Sequence, residues 1–125
     1  MEISLNHTIV YCYDMIASAK FYEKIFGFKF IKVWENFAVV SVNKTLSLDF
    51  RDKESFTAQH YAFKVSDSQF DQILARIQHN NIAYGPGPEN TYENEINYHY
   101  GGRGLYFKDP NQHLLGIITA DYILD

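Results

Sequence analysis

The chain has a single cysteine in 125 residues, so no internal disulfide can form. Cys12 lies in an apolar stretch and reads as a buried free thiol of a protein in a reducing cytoplasm. There is no run of Lys or Arg, and the formal charge is −4, which works against nucleic acid or an anionic membrane as partner. No apolar run approaches the ~20 residues of a membrane span, and Met1-Glu2-Ile3 is not the basic start of a signal peptide. No Ser-His-Asp or Cys-His constellation, phosphate loop or dinucleotide fingerprint is present. Aromatic and apolar residues are plentiful. Ten Tyr, ten Phe and an apolar fraction of 46% suffice for a packed interior of one ordinary domain, or of two small modules.

The pattern along the chain is strand, helix, three strands, and then the same again. Residues 5–13 have the β-branched and aromatic character of a strand. Asp14 stands where an N-cap belongs, and Ile16, Ala19, Tyr22 and Phe26 recur at helical spacing before Gly27, a fitting C′ residue. Residues 28–34, 37–42 and 45–51 follow as short strands. The pattern restarts at the strand 60–65. Ser66-Asp67-Ser68-Gln69 offers a capping box, and Phe70, Ile73, Leu74 and Ile77 mark the apolar face of a helix running to about Asn80. A strand begins at Ile82, and Gly85-Pro86-Gly87-Pro88 breaks it. Residues 89–101 read as a long inserted loop of the kind that is usually functional or mobile.

The repeat places His7 and His60 at equivalent points, each seven residues before an Asp at a helix start. The strand of Leu46–Phe50 closes the first module as the strand of Leu114–Ile117 closes the second, which makes Asp49 and Gly116 repeat partners. A period near 53 residues in two copies fits two paired βαβββ modules, an α+β fold in which eight strands form one open curved sheet around a cleft. The expected limits are a single domain over 1–125, with module 1 about 1–53 and module 2 about 57–125. Side chains on a strand alternate faces, so the repeat also predicts that His7, His60 and Asp49 share one face of the cleft.

The closing hairpin carries a resemblance. Phe107, Asp109, Pro110 and His113 are similar to the Phe-x-Asp-Pro-Asp-Gly-His/Asn-x-x-Glu pattern of the vicinal oxygen chelate superfamily, with Asn111 and Gln112 at its Asp-Gly positions and Gly116 in place of its last Glu. That superfamily includes glyoxalase I, bleomycin- and fosfomycin-resistance proteins and extradiol dioxygenases. The resemblance implies the paired βαβββ fold and a metal site drawn from four places, which here hold His7, Asp49, His60 and Gly116.

Two readings follow. In one, His7, His60 and Asp49 bind a divalent transition ion (Mn, Fe, Ni or Zn) that polarises vicinal oxygens of a substrate. In the other, a metal-free cleft binds or sequesters a small organic molecule. Trp34, Phe37 and Tyr106 are candidates for an aromatic wall, Tyr98, His99 and Tyr100 for a lid, and Arg103 for a contact to an anionic group. His113 reads as a hydrogen-bonding residue of the turn. The resemblance further implies a homodimer, and no general base stands out.

Overall fold

The computed structural model describes residues 2–124. The chain divides after Thr57 into two compact units, each a βαβββ module. In unit 1, β1 (His7–Cys12) is followed by α1 (Met15–Phe26), β2 (Lys29–Trp34), β3 (Phe37–Ser41) and β4 (Ser47–Asp52). In unit 2, β5 (His60–Lys64) precedes α2 (Asp67–His79), β6 (Tyr84–Gly85), a 3-10 turn at His99–Gly101, β7 (Gly104–Lys108) and β8 (Leu114–Ile118). The eight strands hydrogen-bond as two four-stranded sheets, ordered β1-β4-β3-β2 and β5-β8-β7-β6, with β1/β4 and β5/β8 parallel. Among the described residues no helix is long and apolar enough to cross a membrane.

Both helices start and stop where the residues dictate. The Asp14 carboxylate accepts from the Ile16 and Ala17 amides at 3.1 and 3.0 Å, and Gly27 takes φ 79° to end α1. Before α2 the capping box closes in both directions: the Gln69 amide donates to Ser66 Oγ, and the Ser66 amide donates to the Gln69 side chain.

Alternation then decides which face each helix covers. In unit 1, Val10, Cys12, Ala38, Val40, Leu48 and Phe50 are buried on the side of α1, where Tyr22 meets Phe50 at 4.8 Å between ring centres. In unit 2, Leu105, Phe107, Leu115 and Ile117 are buried on the side of Phe70, Ile73 and Ile77. The other face of each sheet is left uncovered by its own helix, and it is on these faces that the candidate residues stand.

The third strand of unit 2 is shorter than the sequence suggests. It begins at Tyr84, not Ile82, because the Ile82 amide donates to the Ile77 carbonyl and closes the end of α2. It stops at Gly85 because Asn90 crosses there: a Cβ on Gly85 would lie 1.5 Å from the Asn90 carbonyl oxygen. The loop beyond it is tied down by bonds from the Asn94 amide to the Tyr84 carbonyl, from Asn97 Nδ2 to the Pro86 carbonyl, and by an Asn97–Gly104 backbone pair.

The Asp109–His113 turn explains its own composition. One Asp109 oxygen accepts from the amides of Asn111 and His113 at 2.8 and 2.9 Å. The buried His113 ring accepts from the Gln59 amide at Nδ1, the hydrogen-bonding role read from the sequence. Gln112 holds φ 68°, a left-handed conformation, at the position where the superfamily pattern has Gly.

Candidate functional site

The register reproduces the repeat to the residue. In unit 1, His7 pairs with Ser47 and Ile9 with Asp49; in unit 2, His60 pairs with Leu114 and Ala62 with Gly116. Asp49 and Gly116 are therefore equivalent positions, and each lies on the same uncovered face as the histidine of its unit.

The two imidazoles are prepared in the same way. His60 Nδ1 lies 3.0 Å from the Leu114 carbonyl oxygen, which can only accept, so Nδ1 carries a proton and donates it to that bond. His7 Nδ1 lies 2.7 Å from Asn6 Oδ1, an oxygen that accepts from the ring. An imidazole with one nitrogen held by an oxygen acceptor and the other free is the arrangement of a ligand or a proton acceptor.

The carboxylate is where the units differ. Asp49 is half-buried and accepts from Ser47 Oγ at 3.0 Å. At Gly116 the space is taken by an aromatic ring from the neighbouring strand. Tyr106 pairs with Gly116, and a Cβ at 116 would lie 3.1 Å from Tyr106 Cε2 and 3.6 Å from His60 Cε1. The ring centres of His60 and Tyr106 are 5.9 Å apart. Unit 2 thus sets a phenol beside its imidazole. Among the described residues no three His, Cys, Asp or Glu side chains gather into a metal site. His7 and Asp49 stand in unit 1 and His60 in unit 2, each with a side chain of a type that can bind a divalent transition ion.

The Tyr106 phenol is held above its ordinary pKa of 10.0, first by burial and then by Tyr122, which also hydrogen-bonds it. Tyr122 stacks edge-on against Tyr100 at 5.5 Å, and Tyr100 against His99 at 6.0 Å. These four side chains, with Asn97, Arg103, Ile118 and Ala120, border a cavity of about 20 Å³. Tyr100 holds φ 57°, a left-handed conformation uncommon for a bulky residue. Of the three lid candidates, His99 and Tyr100 join this cluster, while Tyr98 is largely exposed. Tyr122 carries no sequence signal that separates it from the other nine tyrosines.

Arg103 is held by an acidic pair at the start of α2. Its guanidinium donates to Asp71 at 2.8 Å and to Asp67 at 3.1 Å and lies over the Phe70 ring at 4.4 Å. Its charge is taken up at the start of α2, because its side chain follows the parity of Leu105 and Phe107 toward the helix. Arg103 thus clamps sheet to helix and also borders the cavity lined by His99, Tyr100 and Tyr106.

On the uncovered face of unit 1, Trp34 pairs with Phe37, and Arg51 pairs with Tyr11. Arg51 Cζ is 5.5 Å from the centre of the Phe37 ring, and Lys53 Nζ is 4.3 Å from that of Tyr11. Sequence reasoning found Trp34 and Phe37 but missed Tyr11, Arg51 and Lys53. Strand parity counted from His7 would have placed Tyr11 on this face, and counted from Asp49, Arg51.

The profile described as the Glyoxalase/Bleomycin resistance protein/Dioxygenase superfamily matches residues 4–117. The chain belongs to that superfamily. Among solved structures, the oxidase ChaP-H2 superposes with a TM-score of 0.93 at 42% identity, over 98% of this chain and 97% of its own. The fosfomycin resistance protein FosX from Mesorhizobium loti superposes with a TM-score of 0.72 at 18% identity, over 97% of this chain and 95% of its own, a likeness of fold. The metallothiol transferase FosB of Shouchella clausii (strain KSM-K16) is 27% identical over 96% of this chain and 82% of its own length. The α+β paired-module architecture read from the repeat is that of the superfamily.

Proposed function

We propose that this superfamily member is an oxidase-type enzyme that takes up a small organic molecule against the uncovered sheet faces, with dioxygen as the oxidant. The observation that carries the reading is the 42% identity to the oxidase ChaP-H2 across nearly the whole of both chains. The local chemistry agrees with it. His60, with Nε2 free, accepts a proton from a substrate hydroxyl, and Tyr106, held protonated at neutral pH, donates a hydrogen bond to a neighbouring substrate oxygen. In unit 2 Tyr106 supplies aromatic contact with His99 and Tyr100 nearby, and in unit 1 Trp34 and Phe37 present an aromatic surface of their own. The working form is a homodimer, since each module leaves strand edges that pairing would cover. Sedimentation at micromolar concentration then gives twice the chain's 14.6 kDa.

A second reading is favoured by the metallothiol transferase relative. There His7, His60 and Asp49 are the residues that would hold a divalent transition ion, and such an ion, when bound, polarises adjacent substrate oxygens. Metal content of protein purified without chelator, combined with oxygen uptake on a panel of small phenols and hydroxy acids, tests both. Oxygen uptake that is lost in His60→Ala supports the oxidase reading. Stoichiometric Mn, Fe, Ni or Zn in the purified protein, lost in His7→Ala, supports the second. Ligand binding with neither oxygen uptake nor bound metal would overturn both and leave a sequestering protein.

A further inference from the structure

The uncovered face of unit 1 is charged against the sign of the chain. The whole chain carries a formal −4, yet Lys29, Lys32 and Arg51 have the parity of this face, and Asp49 is the one carboxylate its strands place there. Lys53 lies just beyond β4, over Tyr11. Arg103 shows how this protein treats a cation that serves the fold: two carboxylates and a backbone carbonyl hold it. Among the described residues neither Arg51 nor Lys53 has a carboxylate within ion-pair distance. Both are exposed, and both lie against rings instead. At the same end Trp34 leaves 56% of its surface in solvent beside Phe37.

We propose that Tyr11, Phe37 and Trp34, with Arg51 and Lys53 among them, bind a planar aromatic carboxylate. The rings stack on the π-system of the ligand, and the two cations take its carboxylate. The guanidinium matches a carboxylate with two parallel donors, and Lys53 adds a point charge beside it. Offset stacking on Phe37 and Trp34 favours a flat ligand over an aliphatic one. This deepens the oxidase reading by naming the class of molecule taken up, and rests on that reading only for what happens to it afterwards.

The test is a titration of the full-length, 15N-labelled protein with 2-naphthoate and with neutral 2-naphthamide, followed by nuclear magnetic resonance. The chain's single tryptophan gives one indole N–H signal, so Trp34 reports directly. Naphthoate is expected to shift that signal and to bind about tenfold more tightly than naphthamide, as a charge-assisted hydrogen bond implies. Arg51→Gln removes that preference while naphthamide binding stays the same, and Lys53→Gln reduces it. Both side chains are exposed, so the variants should keep the dispersed spectrum of the folded chain. Equal affinity for the two probes, an unmoved Trp34 signal, or a preference that survives in Arg51→Gln would overturn the proposal. Tighter, salt-sensitive binding of a single-stranded oligonucleotide to this face would do so as well. Binding is read here without turnover, so absence of oxygen uptake would sink the oxidase reading and leave this site standing, and the reverse.

Discussion

Gly116 is the position at which the two units diverge, and its substitution by alanine tests why. A Cβ there would lie 3.1 and 3.3 Å from Tyr106 Cε2 and Cδ2, closer than ordinary van der Waals contact, while its 3.6 Å approach to His60 is ordinary. Overpacking costs about 1–3 kcal/mol, and the lower half of that range applies because the Tyr106 ring is only partly buried and can shift. Against this, replacing glycine within a strand recovers about 0.5–1 kcal/mol of backbone entropy. The balance is a loss of about 1 kcal/mol for Gly116→Ala. With Tyr106→Ala in the background the clash vanishes and only the entropy remains, so the same substitution should stabilise by about 0.5 kcal/mol. The sign reverses, with a coupling of about 1.5 kcal/mol, well outside the scatter of independent sites. Urea unfolding of the four proteins measures it. The same change in stability in both backgrounds would show that Tyr106 does not occupy the space vacated at 116.

Three further outcomes follow from the same structure. Gly116→Glu puts a carboxylate beside His60, and calorimetry with Mn²⁺, Ni²⁺ and Zn²⁺ should show at least a tenfold gain, about 1.4 kcal/mol; unchanged affinity would mean that the geometry has gone with the ligand. Gln112→Gly relieves a left-handed residue at φ 68° and should raise stability by about 0.5–1 kcal/mol in chemical unfolding, an expectation that a destabilised variant would refute. Tyr106 and Tyr61 both have raised pKa values, from burial first, then from Tyr122 and Asp109 respectively. The folded chain keeps those protons longer than the unfolded one, so stability is complete below about pH 10 and declines above it as the unfolded tyrosines ionise. Ultraviolet titration should show these phenols ionising late, with Tyr122→Phe bringing Tyr106 earlier; a single transition for all ten tyrosines would contradict this.

Much of the frame was legible because it is written locally. Asp14 and Ser66 cap helices through bonds to amides two or three residues on, and Gly27 ends α1 through its own backbone conformation. The Asp109 turn closes within four residues. Counting from His7 and His60 was enough to make Asp49 and Gly116 equivalent, since strand register propagates two residues at a time. Less was legible where the partner is distant. Arg103 was open to a ligand as far as the sequence went, because its carboxylates stand 32 and 36 residues away on a helix whose packing had to be known first. The shortness of β6 depends on Asn90 crossing at Gly85, a contact between two loop arms.

The sequence by itself determined the two βαβββ modules, their caps and turn, the matched histidines and the missing carboxylate at 116. Each is a matter of periodicity, backbone conformation or residue identity, which neighbours along the chain settle. Tertiary structure alone decided that Tyr106 fills the place beside His60, that Tyr122 holds that phenol, and that Arg51 and Lys53 lie over rings with no carboxylate partner among the described residues. Those are pairings across strands and between segments far apart in sequence. One of ten tyrosines or eleven cations looks like another until the sheet sets its neighbours.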